Sequence, residues 1–72
     1  SGKDVLEIFR QFGFVVISQK GSHIKIRRIG ISGKQILIIP NHNPIPKGTL
    51  KGIFNQGSMY IAKDELFPHF FS

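Results

Sequence analysis

The 72-residue chain contains no cysteine. That excludes disulfide staples and thiolate metal sites, and it leaves the redox compartment open. Long apolar runs are also missing. The longest, Phe14 to Ile17 and Ile36 to Ile39, hold four residues each, far short of the roughly 18 that cross a bilayer. No signal-peptide pattern opens the sequence, so the expectation is a soluble, cytoplasmic protein. Acids are scarce. Asp4, Glu7, Asp64 and Glu65 are the full set, against ten Lys and Arg. The three histidines, His23, His42 and His69, stand at no zinc-ligand spacing, and no carboxylate cluster joins them. The expected metal and cofactor content is therefore none. A Mg²⁺ nuclease centre would need acids near a basic face, and the sequence offers none there. Gly30-Ile31-Ser32-Gly33 lacks the lysine and the following helix of a phosphate loop.

What is present is positive charge. The net charge of +6 on so short a chain favours a polyanionic partner, most often nucleic acid. An acidic protein fits the charge equally well. A membrane surface fits less well, because no segment is both strongly basic and strongly apolar. The length allows one domain, residues 1–72, which buries about two-thirds of its unfolded surface.

The pattern predicts a helix over Ser1 to Phe12. Ser1 and Asp4 form a capping-box pair. Val5, Leu6, Phe9 and Phe12 make an apolar stripe, widened by Ile8, and Gly13 sits where a C′ glycine belongs. Strand one follows from Phe14 to about Gln19. Its Phe, Val, Val and Ile favour a buried, pleated setting. Strand two runs from His23 to about Ile29 and strand three from about Lys34 to Ile39, ended by Pro40. Short turns make these an antiparallel meander. A second helix starts near Lys47 or Gly48 and ends at Gly57, with Gly52 inside it as a candidate for close packing. A short helix over about Ala62 to Phe67 is stopped by Pro68, leaving His69-Phe70-Phe71 as an apolar tail. The helices pack most simply on one sheet face and leave the other open. Strands one and three are apolar at both parities, so some of Val15, Ile17, Leu37 and Ile39 are expected on the open side.

One stretch organises the rest: Gln19-Lys20-Gly21-Ser22-His23. Gly21 permits the positive φ of a tight hairpin turn. Alternation then places Ile24 and Ile26 on one face, and His23, Lys25 and Arg27 on the other. An imidazole in a row with two cations suits a phosphodiester. RNA carries its own nucleophile in the 2′-hydroxyl, and histidine is the side chain suited to moving protons near neutral pH. An ordinary surface histidine beside a turn would show the same pattern. Ser22 reads as a turn residue, since strand neighbours point to opposite faces and no third orienting acid is visible. Lys20, Lys25, Arg27, Arg28, Lys34, Lys47 and Lys51 are each able to contact phosphate, though a solvated charge is the ordinary role of any one. His42, in a proline-rich loop, reads as a loop residue, and His69 as tail.

An ordered series now stands out: Gly13-Phe14, Gln19-Lys20-Gly21-Ser22-His23, Ile39-Pro40 with His42, then Lys47-Gly48-Thr49-Leu50 and Ile53. It resembles the HicA, or YcfA-like, family of bacterial toxins over nearly the whole chain, to about Gly57. The Gly-Ser-His and Gly-Thr-Leu steps are its specific parts. The resemblance implies a double-stranded-RNA-binding-domain-like α+β fold, α-β-β-β-α. It implies an mRNA interferase whose catalytic histidine is His23, and a cognate HicB-type antitoxin. The ending departs from the family pattern, since Ser58 to Ile61 delays Asp64-Glu65 and Phe70-Phe71 is added.

The resulting expectation is a metal-independent endoribonuclease toxin acting on mRNA. His23 transfers protons and Gly21 and Ser22 position it. Lys20, Lys25 and Arg27 contact phosphates. The rivals are a non-catalytic RNA-binding module of the same fold, which would read shape and phosphates, and a basic protein-interaction domain.

Overall fold

In the computed structural model, which describes residues 1–71, the chain runs helix, three strands, helix, helix. The elements are α1 (Gly2–Gln11), β1 (Val15–Lys20), β2 (His23–Gly30), β3 (Gly33–Pro40), α2 (Lys47–Gly57) and α3 (Lys63–Phe71). The strands form one antiparallel sheet in the order β1-β2-β3. This is the α+β, double-stranded-RNA-binding-domain-like arrangement, with one further helix.

Both ends of α1 follow from local sequence. The Ser1 side chain accepts from the Asp4 N–H and the Asp4 carboxylate returns to the cap backbone, completing a capping box. The Ser1 hydroxyl, donating to Asp4 Oδ2 at 2.9 Å, and then the terminal amine hold the Asp4 carboxyl below its ordinary range. At the other end Gly13 takes φ +93°. The N–H of Gly13 donates to Arg10 O and that of Phe14 to Phe9 O. These are the paired bonds of a Schellman ending. Its usual apolar contact is the edge-on pair of Phe9 and Phe14, with centroids 5.6 Å apart.

The core lies between the helices and one sheet face. Ile24 and Ile26 of β2 pair with Ile39 and Leu37 of β3, and all four are buried. Above them sit Val5, Phe9, Ile53, Phe54, Ile61 and Leu66. Phe9 is fully buried, and burying such a side chain contributes about 1.5–3 kcal/mol. Gly57 is part of this packing, since a Cβ there would lie 2.8 Å from the Phe9 ring. Gly52 is not. Nothing lies within 4 Å of where its Cβ would be, which corrects the expectation of close packing there.

Three further expectations are corrected. β1 is not buried: all six of its residues are exposed. It is an edge strand, and α1 and α2 pack against β3 at the opposite edge, so the helices do not cover it. In β3, Leu37 and Ile39 face the helices, while Ile36 and Ile38 pair with Arg27 and Lys25 and so share the open face with Val15, which pairs with Arg27 and lies there as expected. Finally, α3 runs through Pro68 to Phe71. Pro68 removes one helical hydrogen bond, but the last turn brings Phe70 edge-on to Phe9 and Phe54, and Phe71 edge-on to Phe54. Aromatic packing holds the turn that proline weakens.

Candidate active site

The hairpin turn between β1 and β2 is two residues long, Gly21 and Ser22. Gly21 takes φ +59° and Ser22 does not take a positive φ, the φ pattern of a type II′ hairpin turn. The turn is braced from both sides. The Gln19 side-chain amide donates to Gly21 O at 3.1 Å. The Asn41 N–H donates to Ser22 O at 2.6 Å. His23, the first residue of β2, leaves this turn on a fixed backbone.

Residues directly opposite in an antiparallel ladder share a face. The first row of the open face is therefore Lys20, His23 and Pro40. The second is Ser18, Lys25 and Ile38, and the third is Val15, Arg27 and Ile36. His23 and Lys25 are exposed and Arg27 is half-buried. A bulge between Val16 and Ser18 leaves Ile17 as the extra residue of β1. No acid lies on any strand: Asp4 and Glu7 belong to α1, and Asp64 and Glu65 to α3. Among the described residues the ion pairs are Ser1 with Asp4 and Arg10 with Glu7. Lys20, Lys25 and Arg27 have none, so their field extends over the face unopposed. Nor do the described residues gather three or more His, Cys, Asp or Glu as a metal site would need.

The five site residues expected beside His23 thus fall in one region. Lys20, Gly21 and Ser22 form the approach to it, and Lys25 and Arg27 continue its row along β2. Arg28 belongs elsewhere. Its guanidinium donates to Gln35 Oε1, Phe12 O and Tyr60 O and lies over the Phe14 ring. It is structural rather than a free phosphate contact or a solvated charge. The signal was in the alternation, because Arg28 has the parity of Ile24 and Ile26. His69 is likewise part of the fold, edge-on to Phe12 at 5.3 Å. The roles of Gln19, Pro40 and Asn41 were not foreseen. Gln19 acts through a side-chain bond within the turn, whereas Asn41 and Pro40 act through a main-chain bond and a cross-strand pairing that need the register to be known.

His42 and Thr49 come close to this end of the sheet. Both line a concavity with Pro40, Asn43, Pro44 and Pro46, and Pro40 is the cross-strand partner of His23. The loop is tied to α1 by a bond from the Gly2 N–H to His42 O at 2.9 Å.

An open, cationic sheet face over a single helical layer places the chain in the double-stranded-RNA-binding-domain-like class. A family model for the HicA toxin of bacterial toxin–antitoxin systems matches residues 2–58, most of the chain. The chain belongs to that family, and the class of protein it implies is the toxin of a toxin–antitoxin pair. No curated protein and no solved structure matches it. α3 lies beyond the matched residues. No helix among the described residues is long and apolar enough to cross a membrane.

Proposed function

We propose that the chain is a cytoplasmic mRNA interferase, an endoribonuclease that cleaves mRNA without metal and is silenced by a HicB-type antitoxin. One observation carries the reading. His23 stands exposed on a sheet face that bears Lys20, Lys25 and Arg27 and no acid. The 2′-hydroxyl of RNA attacks the adjacent phosphorus, and the 5′ oxygen of the next nucleotide leaves. His23 accepts the 2′ proton. The cations of the first three rows neutralise charge that grows on the phosphate oxygens. Gly21 brings the backbone through the turn without a side chain in the way, and Ser22 sets the start of β2.

The protein partner is supported by the apolar part of the same face. Ile36 and Ile38 stand there directly opposite Arg27 and Lys25, and Ile38 is 40% exposed. An exposed mixture of this kind marks a partner surface.

The test is cleavage of mRNA in EDTA. The expected products end in a 2′,3′-cyclic phosphate. A 2′-deoxy substitution at the cut should block the reaction, and His23→Ala should abolish it. Full dependence on Mg²⁺ would refute the mechanism. RNA binding without cleavage would leave the non-catalytic module as the better reading.

A further inference from the structure

The loop after β3 carries a histidine that the mechanism above does not use. His42 lines a concavity together with Pro40 and Thr49. Pro40 also stands directly opposite His23 across the ladder. Pro40 is thus common to both histidines: it is the cross-strand partner of His23 and a wall of the concavity that His42 lines. Main-chain bonds fix this placement. Asn41 N–H to Ser22 O, 2.6 Å, ties the loop to the turn that carries His23. Gly2 N–H to His42 O, 2.9 Å, ties it to α1. The second bond needs a close approach, since a Cβ on Gly2 would lie 2.8 Å from Asn41 Cα and 2.9 Å from Pro40 O. Prolines at 40, 44 and 46 restrict the backbone on both sides of His42. Its ring is exposed and makes no side-chain hydrogen bond among the described residues. Nothing in the fold occupies it.

Cleavage through a 2′-hydroxyl moves two protons. One leaves the 2′ oxygen as it bonds to phosphorus. The other must reach the 5′ oxygen as its bond to phosphorus breaks. In an in-line displacement these oxygens lie on opposite sides of the phosphorus. A single imidazole that has accepted the first proton is then on the wrong side to deliver the second. No carboxyl group is on the sheet or the loop, because all four acids lie on α1 and α3.

We propose that His42 is the second proton-transfer residue, and that the concavity beside it receives the leaving nucleoside. This rests on the reading of His23 as the residue that accepts the 2′ proton. His42, protonated at the start, gives its proton to the departing 5′ oxygen. The 2′-oxygen–phosphorus bond forms and the phosphorus–5′-oxygen bond breaks. The products are a 2′,3′-cyclic phosphate and a 5′-hydroxyl. The two rings exchange protonation states, so protons and charge balance without a further reactant.

The experiment uses the full chain and an RNA oligonucleotide containing one cut site mapped with the unmodified protein. A second oligonucleotide carries sulfur in place of the 5′-bridging oxygen at that site. A thiolate leaves without being protonated, so this substrate does not need a general acid. His42→Ala and His42→Asn are compared with His23→Ala, with circular dichroism as the check on folding. Both His42 variants should cleave the oxygen substrate about 10²-fold or more slowly, within the usual range for a lost general acid. Both should cleave the sulfur substrate at close to the unmodified rate. His23→Ala should be slow on both substrates. Undiminished cleavage of the oxygen substrate by the His42 variants would overturn the proposal. So would equal losses on both substrates, which would make His42 a binding or structural residue. Full cleavage by His23→Ala would instead overturn the assignment of the base, and no cleavage by the unmodified chain would overturn both.

Discussion

The guanidinium of Arg28 donates to the carbonyl of Phe12 at 2.7 Å, joining β2 to the end of α1. The same side chain reaches Tyr60 O at 3.0 Å, on the segment between α2 and α3. One planar fork thus ties the sheet to two helical connections. A hydrogen bond to a charged group contributes about 1.5–3 kcal/mol when its loss strands a partner, and the half-buried setting reduces that through solvent screening. Arg28→Met removes three such bonds, to Gln35, Phe12 and Tyr60, each below its full value, and should lower stability by about 2–3 kcal/mol in urea unfolding. Arg28→Lys should recover only part of the loss, because a point charge cannot serve both carbonyls. Toxicity per folded molecule should be unchanged. Loss of activity without loss of stability would return Arg28 to the phosphate-binding set.

Two glycines of α2 should respond with opposite signs. A Cβ at Gly57 would meet Phe9 at 2.8 and 2.9 Å and Leu66 at 3.0 Å. Core residues would have to give, so Gly57→Ala should destabilise by about 1–3 kcal/mol. A Cβ at Gly52 meets nothing within 4 Å. Gly52→Ala should stabilise by roughly 0.5–1 kcal/mol, because alanine gives up less chain entropy in a helix. Thermal midpoints of the two variants, moving in opposite directions, check this packing.

Most of what positions the site could be read from short-range chemistry. Ser1 with Asp4, and Gly13 with Phe14, mark the ends of α1 because caps involve residues a few positions apart. Gly21-Ser22 and the Ile24/Ile26 alternation set the hairpin and its facing. What could not be read depended on distant packing. Val15, Val16 and Ile17 look like core residues, yet they lie on the strand farthest from the helices. Ile36 to Ile39 are apolar at both parities, so only the register separates Leu37 and Ile39 from Ile36 and Ile38. Pro68 looks like a stop until the contacts of Phe54 with Phe70 and Phe71 are known.

His23→Ala should leave the fold intact and remove growth arrest. His23 is exposed and makes no side-chain hydrogen bond among the described residues, so its loss should change stability by no more than about 0.5 kcal/mol. Paired measurements of melting temperature and toxicity decide it. A variant that unfolds, or one that remains toxic, counts against His23 as the reacting group.

Lys25 and Arg27 should act additively on RNA affinity. Each phosphate contact with a single strand contributes about 0.7 to the slope of log K against log salt. Lys25→Gln and Arg27→Gln should each reduce that slope by about this amount, and Arg28→Met should leave it unchanged. Titrations of the His23→Ala protein with RNA at several salt concentrations keep the substrate whole during the measurement. An unchanged slope in both glutamine variants would remove the two residues from the phosphate path.

The antitoxin should cover the face that carries His23. The helices occupy the other side of β2, where Ile24 and Ile26 are buried, so a protein that blocks His23 directly must sit on the open side. That side offers Lys20, Lys25 and Arg27 for acidic groups, and Ile36 and Ile38 for apolar ones. Complementary charge speeds encounter and makes it sensitive to salt, while desolvated apolar contacts slow dissociation. Lys25→Glu should therefore lower the association rate and weaken its salt dependence. Ile38→Ser should mainly raise the dissociation rate. A structure of the complex should bury His23 and at least one of Lys25 and Arg27. If the bound antitoxin left all three open to solvent, inhibition would have to come from covering the loop of His42 instead, or from a distance through α3.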